Sequence, residues 1–144
     1  MSRRSYKYAF SSIVLALAAA CSGAPQPDPV ALAAAQSQCE RLAEKYAQVV
    51  RDAGEATAKY GSANPHRQEL ERLQVSLRTE IGRSGAPDEA RITAMALGAE
   101  LADAKAERAS LIARYGDRHT RAQTAGAGVE ALEAALNAEL RTRT

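Results

Sequence analysis

Between Leu32 and Tyr60, the side chains Leu32, Ala35, Cys39, Leu42, Tyr46, Val49, Ala53, Ala56 and Tyr60 recur at alternating steps of three and four residues. That spacing lines them up along one stripe of an α-helix and leaves Arg41, Glu44, Lys45, Arg51, Asp52 and Glu55 off it. A strand would need alternation at every second residue, and runs of valine, isoleucine and threonine are missing from the chain. An apolar stripe kept up over so many turns cannot be buried by its own helix, so other helices must cover it.

Three shorter segments supply candidates. Leu70, Leu73, Leu77 and Ile81 form one stripe; Ala94, Leu97, Leu101, Ala104, Arg108, Leu111 and Tyr115 another; Ala122, Ala125, Val129, Leu132, Leu136 and Leu140 a third. Arg108 interrupts its stripe and is expected to snorkel outward. Helix punctuation agrees with the stripes. Asp28-Pro29 and Asn64-Pro65 each pair a capping residue with proline at the first helical position. Pro87-Asp88-Glu89 puts proline and two acids at a helix start, where the dipole favours negative charge. Tyr60-Gly61, Gly82 to Gly85 and Tyr115-Gly116 are stops, with Gly61 and Gly116 free to adopt the left-handed C′ conformation. Gly126 and Gly128 weaken the start of the fourth helix by about 1 kcal/mol each in propensity.

Alanine is the commonest residue, tryptophan is absent and the single phenylalanine is Phe10. Alanine has the highest helix propensity. The expected fold is all-α: antiparallel helical hairpins over 29–144, in up-down-up-down order, as an elongated four-helix, coiled-coil-like bundle. Alanine seams let helix axes approach closely but bury little apolar surface, so self-association or a protein partner is expected to add stability.

The first 27 residues are of another kind. Arg3, Arg4 and Lys7 open the chain with no acidic residue among them, and Ala9–Ala20 is apolar or small apart from Ser11 and Ser12. Those residues are too few to cross a bilayer, which takes about 20. A basic start, a short apolar run and small residues at its end mark residues 1–20 as a secretory signal peptide. Leu17-Ala18-Ala19-Ala20-Cys21 resembles the lipobox of bacterial lipoproteins, with Ala18 where that family usually has leucine. The resemblance implies that Cys21 is the lipidation site: its thiol takes a diacylglyceryl group and, after cleavage, it becomes the N-terminus of a palmitate-bearing membrane lipoprotein. Residues 21–28, the lipidated cysteine and a proline-rich tether, would hold the helical domain off the membrane. Ser22 after the cysteine implies delivery to the cell outer membrane, with the exported protein membrane-anchored in the periplasm. Ala20 and Ala24 also suit ordinary signal peptidase, and "SRRSY" is similar to the twin-arginine export signal.

Without residues 1–20 the charge balance changes from 19 basic against 17 acidic residues to 16 against 17. The basic excess belongs to the signal, and no basic stripe with interleaved aromatics survives to suggest nucleic-acid binding. "AKYGSANPHRQELERL" and "ARYGDRHTRAQTAGAGVEAL" run from helix through Tyr-Gly and a histidine into helix, with their tyrosines 55 residues apart. This weak repeat resembles turns in the periplasmic hairpins of polysaccharide chain-length regulators. Those proteins carry transmembrane helices missing from this sequence, so their function does not transfer.

Chemistry is sparse. His66 and His119 at the two turns are candidate metal ligands, but neither has a second ligand at metal spacing, and solvated turn histidines are expected. Glu69 with Glu71 and Glu130 with Glu133 are carboxylate pairs among ordinary helix-surface charges. Cys39 occupies a stripe position, where it is a small buried side chain, a disulfide partner in a parallel homodimer, or a partner for Cys21. No nucleophile triad, phosphate loop or dinucleotide fingerprint can be assembled, so no catalytic residue, cofactor or metal is assigned and an enzyme is not expected. The expected role is a small envelope lipoprotein acting as a non-enzymatic scaffold or accessory interaction subunit. The alternative is a soluble periplasmic helical protein that binds a hydrophobic or metal ligand, held in a pocket lined by Tyr46, Tyr60 and Tyr115.

Overall fold

A computed structural model describes residues 28–142; the signal segment, Cys21 and most of the tether lie outside that range. The described residues form an all-α helical bundle of four helices: α1 (Pro29–Tyr60), α2 (Pro65–Arg83), α3 (Glu89–Tyr115) and α4 (Thr120–Arg141). The starts are capped as the residues require. The Asp28 side chain accepts from the Val30 amide and that of Asn64 from the His66 amide, each at 2.9 Å, with Pro29 and Pro65 at N1. Asp88 does not cap α3; its carboxylate pairs with Arg91 at 3.0 Å.

The helices alternate in direction, so both tight turns lie at one end of the bundle and the 84–88 connection lies at the other, beside the first half of α1. α1 is the hub, packing on α2, α3 and α4, while α3 also packs on α4. This differs from a closed ring of four neighbours: α2 rests on α1, and among the described residues no comparable α2–α3 interface forms. A helix with three neighbours needs more than one buried stripe. Besides Cys39, Val49, Ala53 and Ala56, α1 therefore buries Ala43, Ala47 and Val50.

Two apolar clusters result. Ala47, Val50, Leu97, Ala104, Val129 and Leu132 join α1, α3 and α4. Cys39, Ala43, Ile81, Ala86 and Ile92 join α1, α2 and the start of α3, with Tyr46 packed against both clusters. Full burial of Ile81, Leu97 and Leu132 contributes about 1.5–3 kcal/mol each, the largest single terms in a core otherwise rich in alanine.

Close axial approach is built from glycine on α1 as well as α4. A Cβ placed on Gly54 would lie 2.6 Å from the Ala127 carbonyl oxygen and 2.7 Å from Ala131 Cβ. Gly128 abuts the Cγ atoms of Glu55 and Arg51, so it is a contact point as well as a propensity loss. At the other extreme, the stripe positions Tyr60, Tyr115 and Leu140 are exposed, because each lies at a helix end beyond the last covering neighbour.

Candidate functional site

Three regions carry the polar and exposed features of the molecule: the twin turns at one end, an ion cluster at mid-bundle, and a groove between α1 and α3.

The turns share one backbone design. Gly61 and Gly116 have φ/ψ of 80/170° and 85/161°, and their amides bond to the carbonyls of Thr57 at 2.9 Å and Ile112 at 2.8 Å. The positive φ meets the expectation for a helix-ending glycine. The ψ lies in the extended range, a region essentially reserved for glycine, rather than in the left-handed helical well. Three residues on, Asn64 and His119 occupy the next N-cap at φ −69° with ψ of 132° and 136°. Asn64 caps with its amide oxygen. His119 caps with ring Nδ1, which accepts from the Arg121 amide at 3.2 Å.

The cap commits one nitrogen of His119, and its ring stacks on Tyr115 with centroids 4.8 Å apart. Arg114 and Arg121 each place a guanidinium carbon 6.0 Å from the Tyr115 centroid, and Lys59 Nζ stands 5.0 Å over Tyr60. Tyr60 is 50% and Tyr115 43% exposed, so this end offers two aromatic faces to solvent among cations. The two turn segments, 57–69 and 112–124, hold five basic residues (Lys59, Arg67, Arg114, Arg118, Arg121) and two acidic ones (Glu69, Asp117). His66 is exposed, and no group of three or more His, Cys, Asp or Glu that could hold a metal occurs among the described residues.

At mid-bundle, Arg51 on α1 pairs with Glu55 at 2.9 Å, with Glu100 of α3 at 3.2 Å and with Glu107 of α3. Burial alone would lower its pKa; the hydrogen bonds to Glu55, Glu107 and Glu100 outweigh that and raise it, so the guanidinium stays charged. The cluster fixes α1 against α3, and the adjacent Gly128 lets α4 close over its aliphatic stems. A second link joins α2 to α4: Arg78 grips the buried Glu139 through both carboxylate oxygens, at 2.9 and 3.2 Å. Tyr46 lies near this pair, and burial, reinforced by the Glu139 charge, pushes its phenol pKa up against the opposing pull of Arg78.

The groove has a volume of about 390 Å³. On α3, Ile92, Met95, Ala96 and Ala99 line it, and Met95 is 66% exposed. Its rim is acidic, formed by Glu40 and Glu44 of α1 and Glu100 and Asp103 of α3, with Arg91 at one end.

Several sequence candidates separate on the fold. Tyr46 and Tyr60 are 14 residues apart on one helix, about 21 Å at 1.5 Å per residue, so no single pocket is lined by both. Glu69 and Glu71 point to different sides of α2, and Glu71 pairs with Arg67. Glu133 pairs with Lys105 at 2.7 Å while Glu130 stays exposed. Cys39 is fully buried between Ile81 and Ile92 in its cluster, as a small apolar side chain, which leaves it no face for a partner's cysteine. The Arg51 cluster and the groove escaped sequence reasoning. A basic residue flanked at four positions by Glu55 was the only local signal, and it reads equally as a surface pair. No protein-family model, curated protein or solved structure matches this chain.

Proposed function

We propose that the protein is a small lipid-anchored envelope protein that works by contact: a non-enzymatic scaffold or accessory interaction subunit, held by lipid on Cys21 and by the 21–28 tether. The observation that carries this reading is the polarity of the bundle. The tether enters at the start of α1, and both turns lie at its far end, about 48 Å away for 32 residues. The half-exposed Tyr60 and Tyr115 thus stand clear of the anchored end, while the acidic groove, lined by residues 36–44 of α1 and 91–103 of α3, lies in the half of the bundle nearer the tether. The carboxylates of the Arg51 and Arg78 clusters are consumed in ion pairs, an arrangement suited to rigidity rather than to proton transfer. Anchoring by the three chains typical of a bacterial lipoprotein would be effectively permanent, where one chain gives marginal binding. Outer-membrane residence follows from Ser22 under the same reading.

Affinity purification of the tagged full chain from native membranes tests the role. A protein partner in constant proportion is the expected result. A small molecule retained in constant proportion, with no protein partner, would replace this reading with that of a soluble-type ligand carrier.

A further inference from the structure

We propose that the α1–α3 groove is a docking site for a cationic amphipathic helix of a protein partner, an inference that rests on the scaffold reading above. The floor provides the apolar half of the match. Ile92, Met95, Ala96 and Ala99 fall at steps of three, one and three along α3, so they form a single ridge beside α1. Met95 is an unbranched, polarisable side chain left two-thirds exposed at the centre of that ridge, the kind of residue that moulds itself to an incoming helix.

The rim provides the charge half. Glu44 and Asp103 make no ion pair among the described residues, and Glu40 accepts only from Gln36 at 3.3 Å. Glu40 and Glu44 line the groove from α1 and Asp103 lines it from α3, while Glu100 is already engaged by Arg51. The one cation on the rim, Arg91, is held by Asp88. An acidic rim with unspent carboxylates over an apolar floor is complementary to a helix with a leucine-type stripe flanked by lysine or arginine. From Arg91 to Asp103 the α3 wall runs about 18 Å, room for about three turns of such a helix.

The test uses the full-length protein and a fluorescently labelled, stapled Leu/Lys amphipathic peptide of about eleven residues, with its Leu/Glu counterpart as control. Anisotropy should show binding of the Leu/Lys peptide that weakens steeply with salt, and none of the Leu/Glu peptide. The double variant Glu44→Lys/Asp103→Lys should weaken binding about tenfold or more, while Glu69→Lys/Glu80→Lys on α2, an equal change in net charge, leaves it unchanged. Circular dichroism checks that each variant stays helical, and Met95→Asp provides an independent loss without touching the rim. Equal losses in both double variants would mean diffuse charge attraction and would overturn the proposal. So would binding that ignores both the rim reversal and Met95→Asp. If the rim reversal instead turns a self-associated protein into monomers, the occupant is a second copy and the proposal also fails. A membrane partner that persists with the rim-reversed protein would leave the scaffold reading standing and remove only the groove; absence of any partner for the wild-type protein would remove the scaffold reading itself.

Discussion

The two hairpins agree closely at their turns and differ along their length. Gly61 and Gly116, then Asn64 and His119, adopt matching backbone angles although proline follows one cap and threonine the other. The helices beyond the turns do not correspond in this way. α2 lies chiefly on α1 with Leu77 and Ile81 inward, meeting α4 through the Arg78–Glu139 pair and the start of α3 at Ile92, whereas α4 is pressed into both α1 and α3 through Gly126, Gly128 and small neighbours. A turn is closed by chemistry within a few residues, so different side chains reach the same geometry. An interface depends on which helix arrives opposite, and two stretches with similar turns are free to pack differently.

The largest effect should separate these two levels. Gly54→Leu forces a side chain into the α4 backbone and should cost about 3 kcal/mol or more. Gly98→Leu adds the same atoms into open space and should gain up to about 1 kcal/mol from helix propensity. Urea unfolding midpoints measure both, and similar shifts would mean that α1 and α4 do not meet at Gly54. Next in size, Gly61→Val and Gly116→Val should each cost about 1–3 kcal/mol, and by nearly equal amounts, because both positions need the same glycine-only conformation. A large inequality in their melting temperatures would break the equivalence of the turns.

Exchanging the cap sharpens the comparison further. His119→Asn copies the first turn into the second and should leave stability equal or slightly higher, while Asn64→Ala should cost about 1 kcal/mol. The smallest effect lies in alkaline solution. Burial raises the Tyr46 pKa above its unfolded value, so its stabilising contribution is complete below about pH 10 and is lost as pH rises through the higher folded value. Tyr46→Phe should therefore flatten the fall in unfolding midpoint between about pH 9 and about pH 11. An unchanged slope would show that Tyr46 is as solvated in the folded chain as in the unfolded one.

Helix boundaries were legible in the sequence because Asp28-Pro29, Asn64-Pro65, Gly61 and Gly116 act locally. The stripes were legible wherever leucine or isoleucine marked them, as at Leu77, Ile81, Leu97 and Leu132. They were silent where alanine and glycine did the packing: Ala43, Ala47 and Gly54 carry too little hydropathy to reveal that α1 serves three neighbours. Periodicity also assigned Tyr60, Tyr115 and Leu140 to buried stripes, since it has no knowledge of where a covering helix ends. The groove was invisible for a related reason, as it exists only where α1 and α3 run side by side with nothing among the described residues laid across them.

The proposed anchoring at Cys21 would place the bundle in the cell and give its two ends their meaning. Labelling cells with a palmitate analogue, for the wild-type chain and for Cys21→Ala, tests it directly. The account predicts a labelled wild-type protein that stays with the membranes after osmotic shock, and an unlabelled variant that does not. An unlabelled wild-type protein released in soluble form would show an ordinary cut after Ala20 or Ala24, and would contradict the lipid anchor.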